Sequence, residues 1–376
     1  MSLFPTTKIL PAEDIIGRDV FIRDVTRRTL EHQSVMIPGP RRIGKTAVAT
    51  EVLRRCREDH GALTASVDLF LQSTPEEFAK NLIAEVLASQ DSRVPTLVQE
   101  SLAALSRWLQ GSESELVVRV LNSVEFRWLS RMDRLTGEEL VEHALALPQT
   151  LADRMHRPVV ILLDEFQDVT DVGGTALIKR MRAIWQRQSA TAYLFIGSQG
   201  SMMRSLFGQS AQALYRFADV LQLPDIPDDA WAPYIVRKFA SQNITLDPAV
   251  VRELLRHAGG HPYDTMKMCQ ALYDIARDHN RTHIDANIAW LAQERTTNEL
   301  AAVFQSELRG WEGTPYARQI LMRLARNQTV YPPGVNSGQA KKAVDALMAN
   351  GVIQRIGHGR YAFYEPMFQR YLMGQA

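Results

Sequence analysis

The stretch Ser34-Val35-Met36-Ile37-Pro38-Gly39-Pro40-Arg41-Arg42-Ile43-Gly44-Lys45-Thr46 decides the fold. It opens with a short apolar run that Pro38-Gly39 ends, and helical spacing through Val48, Val52 and Leu53 takes over behind it. Strand, loop, helix is the setting that Gly-x-x-x-x-Gly-Lys-Thr requires. Gly39 and Gly44 permit backbone conformations and close approaches that a side chain blocks, so loop amides can surround phosphates, helped by the positive end of the helix. The residues expected around the phosphates are Gly39, Pro40, Arg41, Arg42, Ile43, Gly44, Lys45, Thr46 and Ala47. In this pattern Lys45 neutralises the β- and γ-phosphates and Thr46 offers its hydroxyl to Mg²⁺, so the motif predicts an ATP site with Mg²⁺ as cofactor.

Working outward, Leu63 to Leu69, Pro158 to Leu163 and Tyr193 to Ile196 read as three further strands. Runs that are apolar on both faces and separated by helices describe a parallel sheet covered on both sides, an α/β sandwich. Ile15, Ile16, Val20, Phe21, Val25 and Leu30 suit a lead-in and an amphipathic helix from about Asp19. Residues 75–156 carry leucines and aromatics at helical spacing and form a helical insertion, which holds Arg107, Trp108, Arg119, Arg127, Trp128, Arg131 and Arg134. Such mixing serves either nucleic acid or a partly buried amphipathic face.

The third strand ends in Leu162-Leu163-Asp164-Glu165-Phe166, similar to a Walker B element. Strand geometry carries Asp164 to the Mg²⁺ shell and leaves Glu165 beside it as the base that orients and deprotonates an attacking water. Glu165 next to Asp164 points to turnover, and the predicted activity is ATP hydrolysis. The fourth strand delivers Gly197-Ser198-Gln199 to the same edge, where Ser198 or Gln199 either senses the γ-phosphate or forms a polar turn.

Formal net charge is +1 over 376 residues, so the whole chain gives no general reason to bind nucleic acid or membrane. Residues 301–376 differ, with nine Lys/Arg against four Asp/Glu, a surplus of five. Cys56 and Cys269 have no Cys or His at metal-ligand spacing, which argues against a disulfide framework or zinc site. The N-terminus lacks a signal-peptide pattern and no long apolar run occurs, so a cytoplasmic location and no membrane partner are expected.

Three domains are expected: 1–225 with the sheet and its insertion at about 75–156, a helical lid at 226–305 without further strands, and a C-terminal unit at 306–376. The last reads as helix Ala317 to Arg326, helix Ser337 to Asn350, then Val352 to Ile356 and Arg360 to Tyr364 joined by Gly357-His358-Gly359, the pattern of a winged helix. Gln339, Lys341 and Lys342 on the second helix, with Arg355, His358 and Arg360 on the hairpin, offer contacts to double-stranded DNA, while the same unit serves equally to pack on the lid or bind an effector protein.

These residues resemble P-loop ATPases of the archaeal-ATPase type, within the STAND and AAA+-like group. The resemblance spans nearly the whole chain and rests on Ile15-Ile16-Gly17-Arg18-Asp19, Pro38 to Thr46, Leu163-Asp164-Glu165-Phe166-Gln167, Ile196-Gly197-Ser198 and Gly259-Gly260-His261-Pro262-Tyr263. It implies a P-loop NTPase parallel-sheet sandwich followed by an α-helical lid and a winged-helix domain. It also implies that Ile16, Gly17 and Arg18 border the adenine and that Pro262 closes over the base, although Gly259 to Pro262 is also a plain helix stop and restart. The family commonly carries Leu-Tyr-Gly-Arg before the last sheet strand, whereas this chain reads Leu214-Tyr215-Arg216-Phe217. Arg216-Phe217 is similar to the Arg-Phe of AAA+ proteins and makes Arg216 a candidate arginine finger, its alternative being a surface ion pair. The implied roles are a molecular switch coupling nucleotide state to homo-oligomerisation and to DNA or partner binding, a DNA-loading or target-selecting AAA+ ATPase similar to origin-recognition or transposition-regulator ATPases, or a nucleotide-binding signalling scaffold with negligible turnover.

Overall fold

The apolar runs become one parallel sheet in a computed structural model that describes residues 2–6, 10–89 and 137–374. The Arg/Trp cluster of the expected insertion, Arg107 to Arg134, lies outside the described residues. Strands β1 (Val35–Pro38), β2 (Leu63–Asp68), β3 (Val159–Asp164), β4 (Thr191–Gly197) and β5 (Asp219–Val220) pair in the order β2-β3-β4-β1-β5. Strands β1, β3 and β4 alternate between two cores. Val35 and Ile37 of β1, Val160 and Leu162 of β3 and Leu194 and Ile196 of β4 share one face with Val48, Val52 and Cys56 of α2 (Lys45–Glu58) and with Ile22 and Val25 of α1 (Asp19–Leu30). Met36, Ile161, Leu163, Tyr193 and Phe195 point the other way, into α3 (Pro75–Ala88), α4 (Gly137–Met155), α5 (Val169–Trp185) and α6 (Gly200–Gly208). Burial on both faces is why the runs read as continuously apolar rather than alternating. On the second face Trp185 stacks on Tyr193 with ring centroids 4.1 Å apart.

From Ile226 onward the chain builds a helical region: α7 (Asp228–Ala240), α8 (Pro248–Ala258), α9 (Pro262–Asp278) and α10 (Ala286–Gly310). A parallel pair, β6 (Thr245–Leu246) and β7 (His283–Ile284), joins its loops and corrects the expectation of no further strand. At two residues each, these strands are too short to leave a periodic signal. Next come α11 (Ala317–Ala325), α12 (Ser337–Ala349), an antiparallel hairpin of β8 (Ile353–Gly357) and β9 (Arg360–Phe363), and α13 (Pro366–Gly374), a last helix that the sequence pattern did not reveal.

One hydrophobic core runs from Ile226 through α7 to α10 and on to Leu372, so the lid and the tail are not separately packed. The expected boundary at 305/306 falls inside α10, where Phe304 meets Phe368 and Tyr371 of α13 at 5.2 and 5.6 Å. Phe4, expected with the sheet, is 1% exposed in this same core against Phe239, and its N–H donates to Gln270 Oε1 at 3.0 Å.

Polar contacts reinforce the lid–tail joint. Arg370 of α13 donates to the carbonyls of His257 and Arg256 at 3.1 and 3.2 Å, satisfying the C-terminal end of α8. Gly259 ends that helix at φ +58, and a Cβ there would stand 2.7 Å from Pro366 Cγ. His257 sits beneath this contact, 6% exposed, its Nδ1 on Glu253 O at 3.3 Å and its Nε2 within 2.5 Å of the Gln293 amide, an arrangement that suits a neutral ring. Burial pushes its pKa down from 6.5 to about 4, and the Arg370 charge adds to the shift. Below its ordinary pKa the unfolded chain binds a proton that the folded chain refuses until about 4, so stability falls as pH drops through that window. Urea midpoints measured between pH 7 and 4 are expected to decline in the wild type and to decline less steeply in His257→Gln.

Candidate functional site

The site begins with backbone geometry that β1 and α2 impose. Gly44 lies at φ +88 just before α2, and a Cβ on it would stand 2.8 Å from Arg18 Nη1. Gly39 is equally confined, since a Cβ would meet Ile43 Cδ1 at 2.7 Å. Gly39 N–H also donates to Gly197 O at 3.3 Å, which ties the start of the loop to the end of β4. Lys45 is 6% exposed, and its ammonium donates to Pro40 O at 2.6 Å. Burial lowers its pKa to about 8 against the raising effect of the Glu165 and Asp164 carboxylates. Those are the conditions of a cation held ready for an anion.

β3 brings the acidic pair to this lysine. Asp164 Oδ2 accepts from Thr46 Oγ1 at 3.0 Å, and its Oδ1 accepts the Glu165 N–H at 2.8 Å. Burial raises the Asp164 pKa. Glu165 adopts a left-handed backbone, φ 46 and ψ 44, as the strand turns into a short helical segment at Phe166–Asp168. Burial raises the Glu165 pKa, but donors from Gln167 and Ser198 and the charge of Lys45 outweigh it, and the net direction is downward. Gln167 Nε2 donates to Glu165 Oε2 at 2.7 Å, and Ser198 N–H reaches the same oxygen at 3.1 Å. Gln167 was quoted in the sequence only as part of a motif, because a glutamine after an acidic pair carries no spacing signal of its own.

A cavity of about 490 Å³ opens beside this chemistry. Arg41, Arg42, Gly44, Lys45, Thr46, Ala47 and Glu165 line its polar end, and Ile16, Arg18 and Pro262 lie along its wall. Ile15, Ile226, Trp231, Tyr263 and Met266 complete an apolar wall able to take a flat ring. Asp14 adds a carboxylate that sequence reading passed over, with its Oδ1 bonded to Tyr234 OH at 2.8 Å. Gly39, Pro40, Ile43, Asp164 and Ser198 stand behind the lining. Gly17 also lies off it and acts as a turn at φ +66, where a Cβ would press on Ala230 and Ile226 at 3.1 Å. Arg18 is a brace, 4% exposed, donating to Ile43 O at 2.7 Å and Pro224 O at 3.0 Å.

Arg216 is not brought to this cavity. It is exposed at φ +54 with its guanidinium 5.1 Å from the Tyr215 ring, just before β5 and outside the lining. Lys341, Lys342, Arg355 and Arg360 are exposed together on α12 and the hairpin, again apart from the cavity.

The residues fit a nucleotide triphosphate with Mg²⁺ on two counts. The loop is a cradle that Cβ atoms would fill, and the Thr46–Asp164 pair is an oxygen donor set. No cluster of three or more His, Cys, Asp or Glu that could hold a metal occurs among the described residues, so Thr46 and Asp164 would hold Mg²⁺ together with other ligands.

A five-stranded parallel sheet with a phosphate loop after β1 and an acidic strand end two places away is the fold of P-loop NTPases. Residues 16–196, just under half of the chain, match the AAA ATPase domain family. Over its length the chain is similar to the Walker-type ATPase of Pyrococcus abyssi, at 16% identity, 99% of each chain covered and a TM-score of 0.70. It is also similar to the ORC2 protein of Aeropyrum pernix solved in ADPNP-ADP complexes, at 13% identity, 99% of this chain and 98% of that chain covered and a TM-score of 0.56. At these identities the likeness is one of fold. A sequence search of curated proteins gave no match.

Gly44→Ala tests the cradle, because it strains a left-handed position and drives a methyl into Arg18. A fluorescent ATP analogue titrated against this variant and against Lys45→Ala is expected to bind at least about tenfold more weakly than to wild type, since each change removes a charge-assisted or pre-shaped phosphate contact.

Proposed function

We propose that the protein binds ATP with Mg²⁺ and hydrolyses it, and that nucleotide state is passed from the phosphate loop to the C-terminal region, making the molecule a switch. One observation carries the coupling: the loop itself touches the tail. Arg42 Nη1 lies 3.3 Å from both Glu365 carboxylate oxygens, and its guanidinium stands 4.9 Å from the Tyr263 ring of α9. Gly351, after α12, has no Cβ that would press on Pro40 at 3.0 Å. A phosphate arriving at this loop would compete with Glu365 for Arg42, whose charge opposes the rise that burial gives the Glu365 pKa, so a change in the loop would be felt at Glu365.

In the hydrolytic reading Lys45 would neutralise the phosphates, Thr46 and Asp164 would hold Mg²⁺, which would supply charge neutralisation, and Glu165 would be the base for water. Ser198 senses the γ-phosphate through the strand end it shares with Gly197. The lid near Pro262, with Ile16, Gly17 and Arg18, borders the base. Arg216, exposed and remote from its own cavity, fits a finger that reaches a neighbouring copy rather than its own nucleotide. Glu165→Gln is expected to keep ATP affinity within about threefold while hydrolysis falls by roughly 10²- to 10⁴-fold, and hydrolysis at the wild-type rate in this variant would refute Glu165 as the base.

The C-terminal helices and hairpin, read as a winged helix, favour a second outcome of the switch, contact with duplex DNA. Gln339, Lys341, Lys342, Arg355, His358 and Arg360 are all exposed on this unit, with Ile356 55% exposed between two of the cations. DNA loading or target selection, which the sequence resemblance implies, is a further reading of the same unit. Sedimentation with ATP or ADP, with and without duplex DNA, separates the readings. The switch predicts a change of size or shape between nucleotides. The Lys341→Glu/Lys342→Glu variant is expected to lose a salt-dependent DNA affinity while keeping that nucleotide response. A nucleotide-independent profile together with absent hydrolysis would leave the scaffold reading.

A further inference from the structure

Gln167 lies two residues beyond Glu165 and is 3% exposed. Its Nε2 donates to Glu165 Oε2 at 2.7 Å and stands 3.5 Å from Ser198 Oγ. The Ser198 main-chain N–H donates to the same carboxylate oxygen at 3.1 Å. Two donors from two different segments, one after β3 and one after β4, therefore converge on Oε2. The amide's orientation follows from charge, because the reverse orientation would set its carbonyl against a carboxylate.

That orientation is costly at its other end. Gln167 Oε1 is buried with no hydrogen-bond partner among the described residues, and a buried orphan carbonyl persists where the rest of the group is firmly held. Room for it comes from Gly197, since a Cβ there would overlap Oε1 and stand 2.9 Å from Met203 Cγ and Sδ. An accommodated orphan, a glycine that admits it and a short bond to a carboxylate are more than core packing requires. An apolar side chain would fill the same space without the penalty.

We propose that Gln167 is a positioning residue for hydrolysis, fixing the Glu165 carboxylate by Oε2 so that its other oxygen serves the attacking water, and that Gly197 is glycine to let it do so. This rests on Glu165 being the base. In that step Glu165 Oε1 accepts a proton from the water whose oxygen forms the bond to the γ-phosphorus. The bond from phosphorus to the β–γ bridging oxygen breaks, and ADP leaves with its electron pair. Gln167 stays uncharged throughout and gains or loses no proton. Its work is to remove rotational freedom from a carboxylate that Ser198 and the Lys45 charge also hold.

Two variants test this by different routes. Gln167→Met keeps the length and removes the donor, whereas Gly197→Ala keeps the amide and displaces it. Each is expected to lower kcat about ten- to a hundredfold with KM for ATP and the affinity of a fluorescent ATP analogue within about twofold. Adding either change to Glu165→Gln should cost no further activity, because a residue that acts through Glu165 has nothing left to position. Without nucleotide, the melting-temperature changes of Gln167→Met and Glu165→Ala, whatever their sign, should be non-additive. Unchanged kcat in Gln167→Met, or losses that multiply with Glu165→Gln, overturn the proposal. Wild-type hydrolysis by Glu165→Gln alone defeats the underlying assignment of the base instead, and the melting experiment then still reports whether the two side chains are coupled.

Discussion

A lysine ammonium taken almost wholly out of water is the constraint around which the rest is arranged. Lys45 is buried at the start of α2, bonded to one loop carbonyl and facing two carboxylates. Left alone, such a charge would be neutralised or would unfold its surroundings. The carbonyl of Pro40 can reach it only because Gly44 takes a left-handed turn, and the carboxylates reach it because β3 ends level with the loop. The sheet order then does something local geometry does not. Because β4 lies between β1 and β3, its last residues are wedged between the loop and the acidic pair, where Gly197 O accepts from Gly39 and Ser198 N–H donates to Glu165. Strand order thus connects the loop, Ser198, Gln167 and Glu165 into one hydrogen-bonded path.

The parts of this arrangement that repeat a local pattern were legible in the chain. Val35 to Pro38, Val159 to Asp164 and Thr191 to Gly197 announce themselves because burial on both faces demands unbroken apolar runs, and Gly39 to Thr46 because phosphate recognition constrains backbone and side chains within eight residues. Helices α11 and α12 and the hairpin follow from 3.6- and 2-residue periods and a glycine turn. What stayed hidden depends on distant partners. Nothing near Phe4 tells that it packs on Phe239, and nothing near Arg42 tells that its partner is Glu365, 323 positions away. Asp14 and Gln167 were missed for the same reason: a single acid or amide acquires a role only from what tertiary structure sets against it. The strands β6 and β7 escaped because two residues cannot display a period.

The division of the core bears on how a loop event could be felt elsewhere. Lid and tail share one apolar core, closed by Phe304 against Phe368 and Tyr371, so separating them exposes many buried side chains. Against the phosphate loop, the tail instead presents an ion pair and a glycine contact. Pairs of this kind contribute little net stability once desolvation is counted, and the Glu365 side chain is only 17% exposed. In the proposed switch, the sheet unit and the combined lid–tail body are the two parts that would move against each other.

The chain passes between those two bodies at two places, and each has the backbone for a hinge. Gly17 at φ +66 abuts Ile226 and Ala230, and the second crossing runs through Leu223 to Pro227, where Pro224 O is held by Arg18. Arg18 also holds Ile43 O inside the phosphate loop, so one buried guanidinium spans loop and crossing. Its pKa is lowered to about 10 by burial, still well above neutrality, and it keeps its charge in both states. In the proposed switch, a shift of Ile43 on phosphate binding would pull on Arg18, and Arg18 on the segment that leads into α7. The loop thus has two routes to the lid–tail body, an inner one through Arg18 to the hinge and an outer one through Arg42 to Glu365. In the proposed switch, a nucleotide that tightens the first while competing for the second would act on the body through both.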